Sequence, residues 1–367
     1  MMRRTKYWFV YLFLAALILC FTACQGMGQS TRDGLKLDIA YTPPVELKLQ
    51  PYNGGFFSID LPKGWVIQTV GQFESFGFRA WDPEQPARQL FFYGSMRYFM
   101  KSQAGREVWQ YYTTYGGYSN AQVYADAPIL SPATTEQFFY TFGEFAAYAQ
   151  AYGIVHDFPV FDELNIIEIV PRNSAISSIC LDDSIVRTQY KTGSVPCQGL
   201  FAAGISDTMS YYANGVDAGY YTAYAVSGLG APMDEFPQLQ ETLSQSLASF
   251  RYSEEYIRQG VQNIEAGTEA ALAAGRTLSQ ASDSYNQAFY SRNRVKDTNM
   301  QKWSDGQLGY DRVYDTETGE VYRAELGFYE DYDIHREEYA NPNLERVPDN
   351  GYDLYDQSIS GYISKPR

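Results

Sequence analysis

Alternating apolar and polar positions dominate the chain from residue 54 to residue 226, a pattern typical of β-strands. In Gly54–Val70 the apolar positions alternate up to Leu61, pause at Pro62-Lys63-Gly64, and resume at Trp65, which predicts strand, turn, strand. Gly, Asp and Asn turns separate the further predicted strands. These strands are Leu164–Val170, Ser184–Tyr190, Gln198–Ser206, Thr208–Asn214 and Tyr220–Val226.

Two stretches follow the helical period instead. Ser131–Tyr152 is predicted as a helix, with Ser131 as its cap and Pro132 at the first helical position. Its apolar face consists of Phe138, Phe142, Phe145 and Ala149. A second helix, opened by Asp234 or Pro237, carries Leu239, Leu243, Leu247 and Phe250 on one stripe. Residues 35–251 are therefore expected to form one α+β domain, an antiparallel sheet with helices packed on it.

The composition changes after this domain. Residues 252–300 are rich in Ala, Gln and Glu and predict a long helix or a helix pair, and residues 301–367 predict a small Tyr-rich β module with a hairpin around Asp315–Gly319. An Ala-rich helix interrupted by glycines needs packing partners to be stable. We expect it to contact the preceding domain through Ile257, Val261 and Ile264, and the module through Tyr285 and Phe289.

The first residues predict export. Arg3, Arg4 and Lys6 precede an apolar run from Tyr7 to Phe21, which is shorter than a membrane-spanning helix requires. The following Phe21-Thr22-Ala23-Cys24 resembles the lipobox of bacterial lipoproteins. That resemblance implies a signal peptide of residues 1–23, a lipidated Cys24, a tether of residues 24–34 and a protein anchored on the extracytoplasmic face of the cell membrane. An ordinary secretory signal or an uncleaved anchor is the alternative.

Charge and cysteine content narrow the class of protein further. The formal net charge of −15 argues against nucleic acid and against an anionic lipid surface as partners. In an oxidising compartment, Cys180 and Cys197 are most simply a disulfide, which would contribute about 3 kcal/mol on the chain-entropy argument. Neither cysteine has a neighbour at zinc-binding spacing, so no metal site is expected.

Phe57–Trp65 reads F-x-I-x-L-P-x-G-W, and this run resembles the opening of the PsbP family of photosystem extrinsic proteins and related bacterial lipoproteins. The resemblance implies an antiparallel sheet with packed helices and carries no catalytic residue. The pattern W-x-D-G-Q followed by Y-D-x-x-T-G-E-V-Y in the tail looks like the small C-terminal module of exported bacterial lipoproteins.

No set of residues with catalytic or cofactor-binding spacing is present. His156 and His335 are isolated, and no nucleophile elbow or phosphate-binding loop occurs, so neither metal nor cofactor is predicted. Candidate ligand-stacking residues are Tyr111, Tyr112, Tyr115 and Tyr118, for which strand and core positions are the alternative.

The sequence therefore favours a lipid-anchored extracytoplasmic binding or assembly protein without catalytic activity. Its expected contacts are the membrane through the N-terminal lipid and an envelope protein or a glycan. The alternative, from a different class, is a cell-envelope polysaccharide hydrolase that uses paired carboxylates drawn from the abundant Asp and Glu.

Overall fold

A computed structural model describes residues 34–42, 45–116, 118–174, 176–262, 298, 301–303, 305–306 and 308–364. The chain divides into two compact units, residues 44–300 and residues 1–43 together with 301–367. The signal peptide, Cys24 and the tether up to residue 33 lie outside the described residues. Within the described ranges, no helix is both long enough and apolar enough to cross a membrane.

The strands of the described residues are β1 (Ile39–Tyr41), β2 (Leu49–Asn53), β3 (Phe57–Pro62), β4 (Val66–Val70), β5 (Gly77–Trp81), β6 (Gln89–Met100), β7 (Asp162–Pro171), β8 (Asp182–Thr192), β9 (Val195–Met209), β10 (Tyr212–Ala213), β11 (Val216–Asp217), β12 (Tyr220–Pro232), β13 (Arg251–Tyr252), β14 (Tyr310–Asp315), β15 (Val321–Glu325), β16 (Leu344–Arg346) and β17 (Ile359–Ile363). The helices are α1 (Gln103–Tyr115), α2 (Ala121–Asp126), α3 (Thr135–Ala151), α4 (Phe236–Ala248), α5 (Glu254–Gln262), α6 (Phe328–Ile334) and α7 (Tyr352–Tyr355). Short 3-10 helices occur at Phe73–Ser75, Ser177–Ile179 and Arg336–Glu338.

The larger unit is built on a seven-stranded sheet in the order β4-β5-β6-β12-β9-β8-β7. All neighbouring strands in it are antiparallel. Side chains alternate between two apolar clusters: Leu90 and Phe92 belong to one, and Phe91 and Tyr93 to the other. The first cluster contains the apolar stripe of α4 and the second that of α3, so helices cover both faces of the sheet. Strand β12 is consequently buried almost throughout.

The predicted α+β architecture with a mostly antiparallel sheet and several helices is therefore present. Helix α3 begins at Thr135 rather than at Pro132, because Thr134 is its N-cap and accepts a hydrogen bond from the Gln137 N–H at 3.2 Å. Its expected apolar face, including Phe138 and Phe142, is buried.

The helical segment that was expected after the domain begins with α5. Ile257 is buried in the same cluster as α4, as expected. Ile264, Tyr285, Phe289 and the side chain of Val261 lie outside the described residues.

The smaller unit contains a five-stranded sheet in the order β1-β17-β15-β14-β16. Strands β14 and β15 form the hairpin expected around Asp315–Gly319, in which the Asp315 carboxylate accepts hydrogen bonds from the N–H groups of Glu317 and Thr318. Gly319 has a φ of +77°, a conformation that favours glycine.

The start of the predicted domain needs correction. Residues 35–41 were assigned to the large α+β domain, but β1 pairs with β17, with Ile39 opposite Ile363. This N-terminal stretch therefore completes the sheet of the smaller unit. The apolar and polar pattern of a three-residue strand does not indicate which strand it pairs with, so the sequence did not predict the pairing of β1 with β17. The two compact units divide between residues 300 and 301.

The predicted disulfide is wrong, because Cys180 and Cys197 are both free. The residues between the two cysteines form β8, the turn of the β8–β9 hairpin and the start of β9, so they do not bring Cys180 and Cys197 together. Leu181 donates its N–H to the carbonyl of Ile205, whereas Cys197 lies opposite Tyr190, so the two cysteines are about 25 Å apart along β9 at roughly 3.3 Å per residue. They also pack against clusters on opposite faces of the sheet. Burial raises the pKa of the Cys180 thiol to about 12 and that of Cys197 to about 11.

Candidate ligand-binding site

The central sheet has a gap along one edge of β6. Pairing between β5 and β6 ends at Gly77 opposite Tyr93, and the next N–H of β6, that of Gly94, donates to the Phe76 carbonyl at 2.8 Å. Further along, the Met100 N–H donates to the Pro128 carbonyl at 2.8 Å. Between these two points, residues 95–97 and residue 99 pair with β12 on one side, and no strand of the described chain pairs with residues 95–99 on the other.

A β-bulge lies inside this gap. Arg97 pairs with Thr222 and Phe99 with Tyr221, so Tyr98 is an extra residue without a partner on β12. Its φ is +74°, unusual for a residue with a side chain. The ring of Tyr98 lies 5.4 Å from that of Tyr124, centroid to centroid.

A cavity of about 720 Å³ lies beside the open edge of β6, within the size range of ligand-binding pockets. Four consecutive β6 residues, 95–98, line it, together with the end of β4, the 3-10 helix that follows, α2, the end of α3 and the loop after α3. Its aromatic lining residues are Tyr93, Tyr98, Tyr124, Phe145, Tyr148, Tyr152 and Phe158, and its aliphatic ones include Val70, Met96, Val123, Ala149, Ile154 and Val155. The walls are therefore mainly apolar and aromatic.

Few polar groups enter this apolar lining. Ser95 is only 8% exposed, and its Oγ has no hydrogen-bond partner among the described residues. The Arg97 guanidinium pairs with the carboxylate of Glu74 at 2.5 Å. The Ser95 Oγ has almost no accessible surface, so it is a buried polar atom of the wall and is not presented to a ligand in the cavity.

Tyrosine hydroxyls hold the helical walls together. The Tyr148 hydroxyl donates to the Val123 carbonyl at 3.0 Å, which ties α3 to α2. Tyr152 is the residue that follows α3, and its hydroxyl donates to the carboxylate of Asp126 at 2.8 Å. Burial, together with that carboxylate, raises the pKa of Tyr152 to about 12. The cavity is thus preformed by fixed side chains.

His156 lies behind the cavity wall, only 4% exposed, with its Nε2 2.8 Å from the hydroxyl of the lining residue Tyr93. Burial lowers the pKa of His156 to about 4. The negative charge of Asp157 raises this pKa and the positive charge of Arg79 lowers it, so the effect of burial dominates. The imidazole is therefore neutral at pH 7. The sequence showed His156 only as an isolated histidine, and its burial was missed because the neighbouring apolar residues do not show which side chain of this stretch turns inward.

The four candidate stacking tyrosines form a surface cluster elsewhere. Tyr111, Tyr115 and Tyr118 are exposed, and the rings of Tyr111 and Tyr115 are 4.4 Å apart between centroids. The hydroxyls of Tyr112 and Tyr118 lie 3.1 Å and 3.2 Å from that of Tyr211. The structure brings these residues together, but none of them lines the cavity. Of the tyrosines that do, Tyr148 and Tyr152 had a sequence signal, an i, i+4 pair beside the apolar face of a predicted helix.

The acids of the chain do not gather in the cavity. Among the described lining residues Glu74 is the sole carboxylate, and it is already paired with Arg97. No group of three or more His, Cys, Asp or Glu in the described part of the chain is arranged to hold a metal ion.

No protein-family model matches the chain, and no characterised protein shows significant sequence similarity to it.

Proposed function

We propose that this chain is a lipid-anchored extracytoplasmic binding protein without catalytic activity, and that its ligand occupies the cavity beside β6. The cavity supports this proposal most directly, because its volume and its largely aromatic and apolar walls are the features of a ligand-binding site. A partner from the cell envelope, a protein or a glycan, fits the expected location.

The fold supports a PsbP-like arrangement as part of this proposal. The F-x-I-x-L-P-x-G-W run forms β3 and the turn after it, and Phe57, Ile59 and Leu61 enter the cluster that contains α4. An antiparallel sheet covered by helices agrees with that family's general architecture.

Replacing Cys24 with Ala tests the anchor. We expect Cys24→Ala expressed in the native host to leave the membrane fraction and to lack the mass of the lipid, because the thiol is the proposed site of acylation. Cys180→Ala is the matched control, since that cysteine is free and should not affect fractionation. Membrane retention of Cys24→Ala at an unchanged mass would disprove the anchor.

Filling the cavity tests the binding site. We expect the aromatic anion 8-anilinonaphthalene-1-sulfonate to bind the native protein, and Val123→Trp to weaken that binding at least tenfold because the indole occupies the cavity. Asn120→Trp, at an exposed lining position, is a second blocking variant less able to disturb folding. Gln122→Trp, on the same helix but outside the lining, is the control. Equal dye affinity in all four proteins would rule the cavity out.

The alternative hydrolase requires two carboxyl groups on either side of a glycosidic bond, roughly 5–10 Å apart. The described lining of the cavity supplies one, Glu74, which is engaged with Arg97. No structural observation favours this alternative over binding.

A further inference from the structure

We infer that the ligand is an extended peptide segment of a partner protein, which adds as a strand to the open edge of β6 and places an apolar or aromatic side chain in the cavity. This inference rests on the proposed function, because it specifies the ligand of the same site. It goes further in assigning the recognition to main-chain hydrogen bonds along a sheet edge.

The cavity lies directly beside the unpaired edge of the sheet. The open stretch of β6, residues 95–99, is about 16 Å long at roughly 3.3 Å per residue, enough for a strand of four or five residues. The N–H groups of Gly94 and Met100, at its two ends, point to this edge and bond to carbonyls there. Because alternate residues of a strand present their main-chain groups to the same side, those of Met96 face this edge as well. The cavity is lined by these same β6 residues.

The walls of the cavity suit the side chains of an extended peptide. A strand presents side chains alternately to its two sides, and the cavity offers aromatic surface on one side of the edge, from Tyr124, Phe145 and Tyr148. Apolar surface continues outward at the mouth, where Val155 is 88% exposed. A lipid tail or a sugar would use the aromatic surface but not the main-chain groups of Met96. A peptide uses both.

The open edge of β6 is short and irregular. Long open edges promote aggregation, and bulges and short lengths are devices that prevent it. Here the bulge at Tyr98 interrupts the ladder, and the open stretch is limited to residues 95–99. Such an edge suits one short strand better than the long edge of another sheet.

Peptide selection followed by main-chain methylation tests the inference. Random heptapeptides displayed on phage would be selected on the native protein and counter-selected on Val123→Trp and Asn120→Trp. The best peptide would then be synthesised in versions that each carry one N-methyl group. We expect methylation to reduce affinity at least tenfold at alternate positions and less than threefold at the positions between, because only every second N–H of an added strand faces β6.

The outcomes separate this inference from the proposed function. Losses of affinity without the two-residue period would overturn strand addition. If no peptide is enriched while the cavity-filling variants still block the dye, the ligand is not a peptide, and the binding site stands. If those variants leave dye binding unchanged, the proposed function fails as well.

Discussion

Replacing Asp305 with Asn should destabilise the smaller unit by about 3–5 kcal/mol, the usual cost of removing one partner from a buried ion pair. Asp305, Arg312 and Arg323 are each at most 5% exposed. The carboxylate accepts from the Nε of Arg312 at 2.6 Å and from the Nε of Arg323 at 2.7 Å. The two arginines are directly opposite each other on β14 and β15, where like charges repel. A neutral amide in place of the carboxylate would leave two buried cations facing each other without the anion between them.

Amide hydrogen exchange of β14 and β15 in the whole protein measures this effect locally, which avoids assuming that both units unfold together. Asp311→Asn is the control: Asp311 pairs with Arg346 at 3.2 Å, and both side chains are at least one-third exposed. Such a pair contributes about 0–1 kcal/mol. Native-like protection of β14 and β15 in Asp305→Asn would contradict the importance of the buried triad.

Acidification should destabilise the larger unit through His156. Its pKa is about 4 in the folded protein, below the ordinary value of 6.5, because burial disfavours the charged imidazolium. The unfolded chain therefore binds the proton first as pH falls. The resulting stability is fully present above about pH 6.5 and is lost as pH falls toward 4, by about 3 kcal/mol at 1.36 kcal/mol per pKa unit.

Urea unfolding of the larger unit between pH 7.5 and pH 4.5 checks this prediction. His156→Gln keeps a group able to accept a hydrogen bond from the Tyr93 hydroxyl but does not titrate, so its stability should fall less steeply with acid than that of the native protein. His335→Gln is the control, since His335 is exposed. Carboxylates also titrate in this range, but they are common to all three proteins. Parallel pH profiles for the native protein and His156→Gln would show that His156 is not the acid-sensitive group.

Local patterns in the sequence predicted elements well and their partners poorly. The apolar face of α3 and the hairpin at Asp315–Gly319 were readable because helical period and turn chemistry are properties of consecutive residues. The pairing of β1 with β17 and the separation of Cys180 from Cys197 depend on register and topology, which short-range patterns do not encode.

The candidate site was missed for the same reason. Its essential features are the end of β5 pairing at Gly77 and the bulge at Tyr98, both of which arise from how distant strands align. The sequence did indicate tyrosine as the residue of interest. It pointed to the cluster at Tyr111–Tyr118, where tyrosines are close together in the chain, rather than to those that meet only in the fold.

The pairing of β1 with β17 also fixes an order of events during synthesis. A ribosome makes Ile39–Tyr41 more than 300 residues before their partner Gly361–Ile363, so β1 stays without this partner until β17 has been made. The described strands of the larger unit are complete by Tyr252 and can assemble earlier. The pairing of β1 with β17 closes a loop of more than 300 residues, which is a slow, late step. A premature stop that removed only β17 would therefore leave β1 without a neighbour and expose β15 as a new edge.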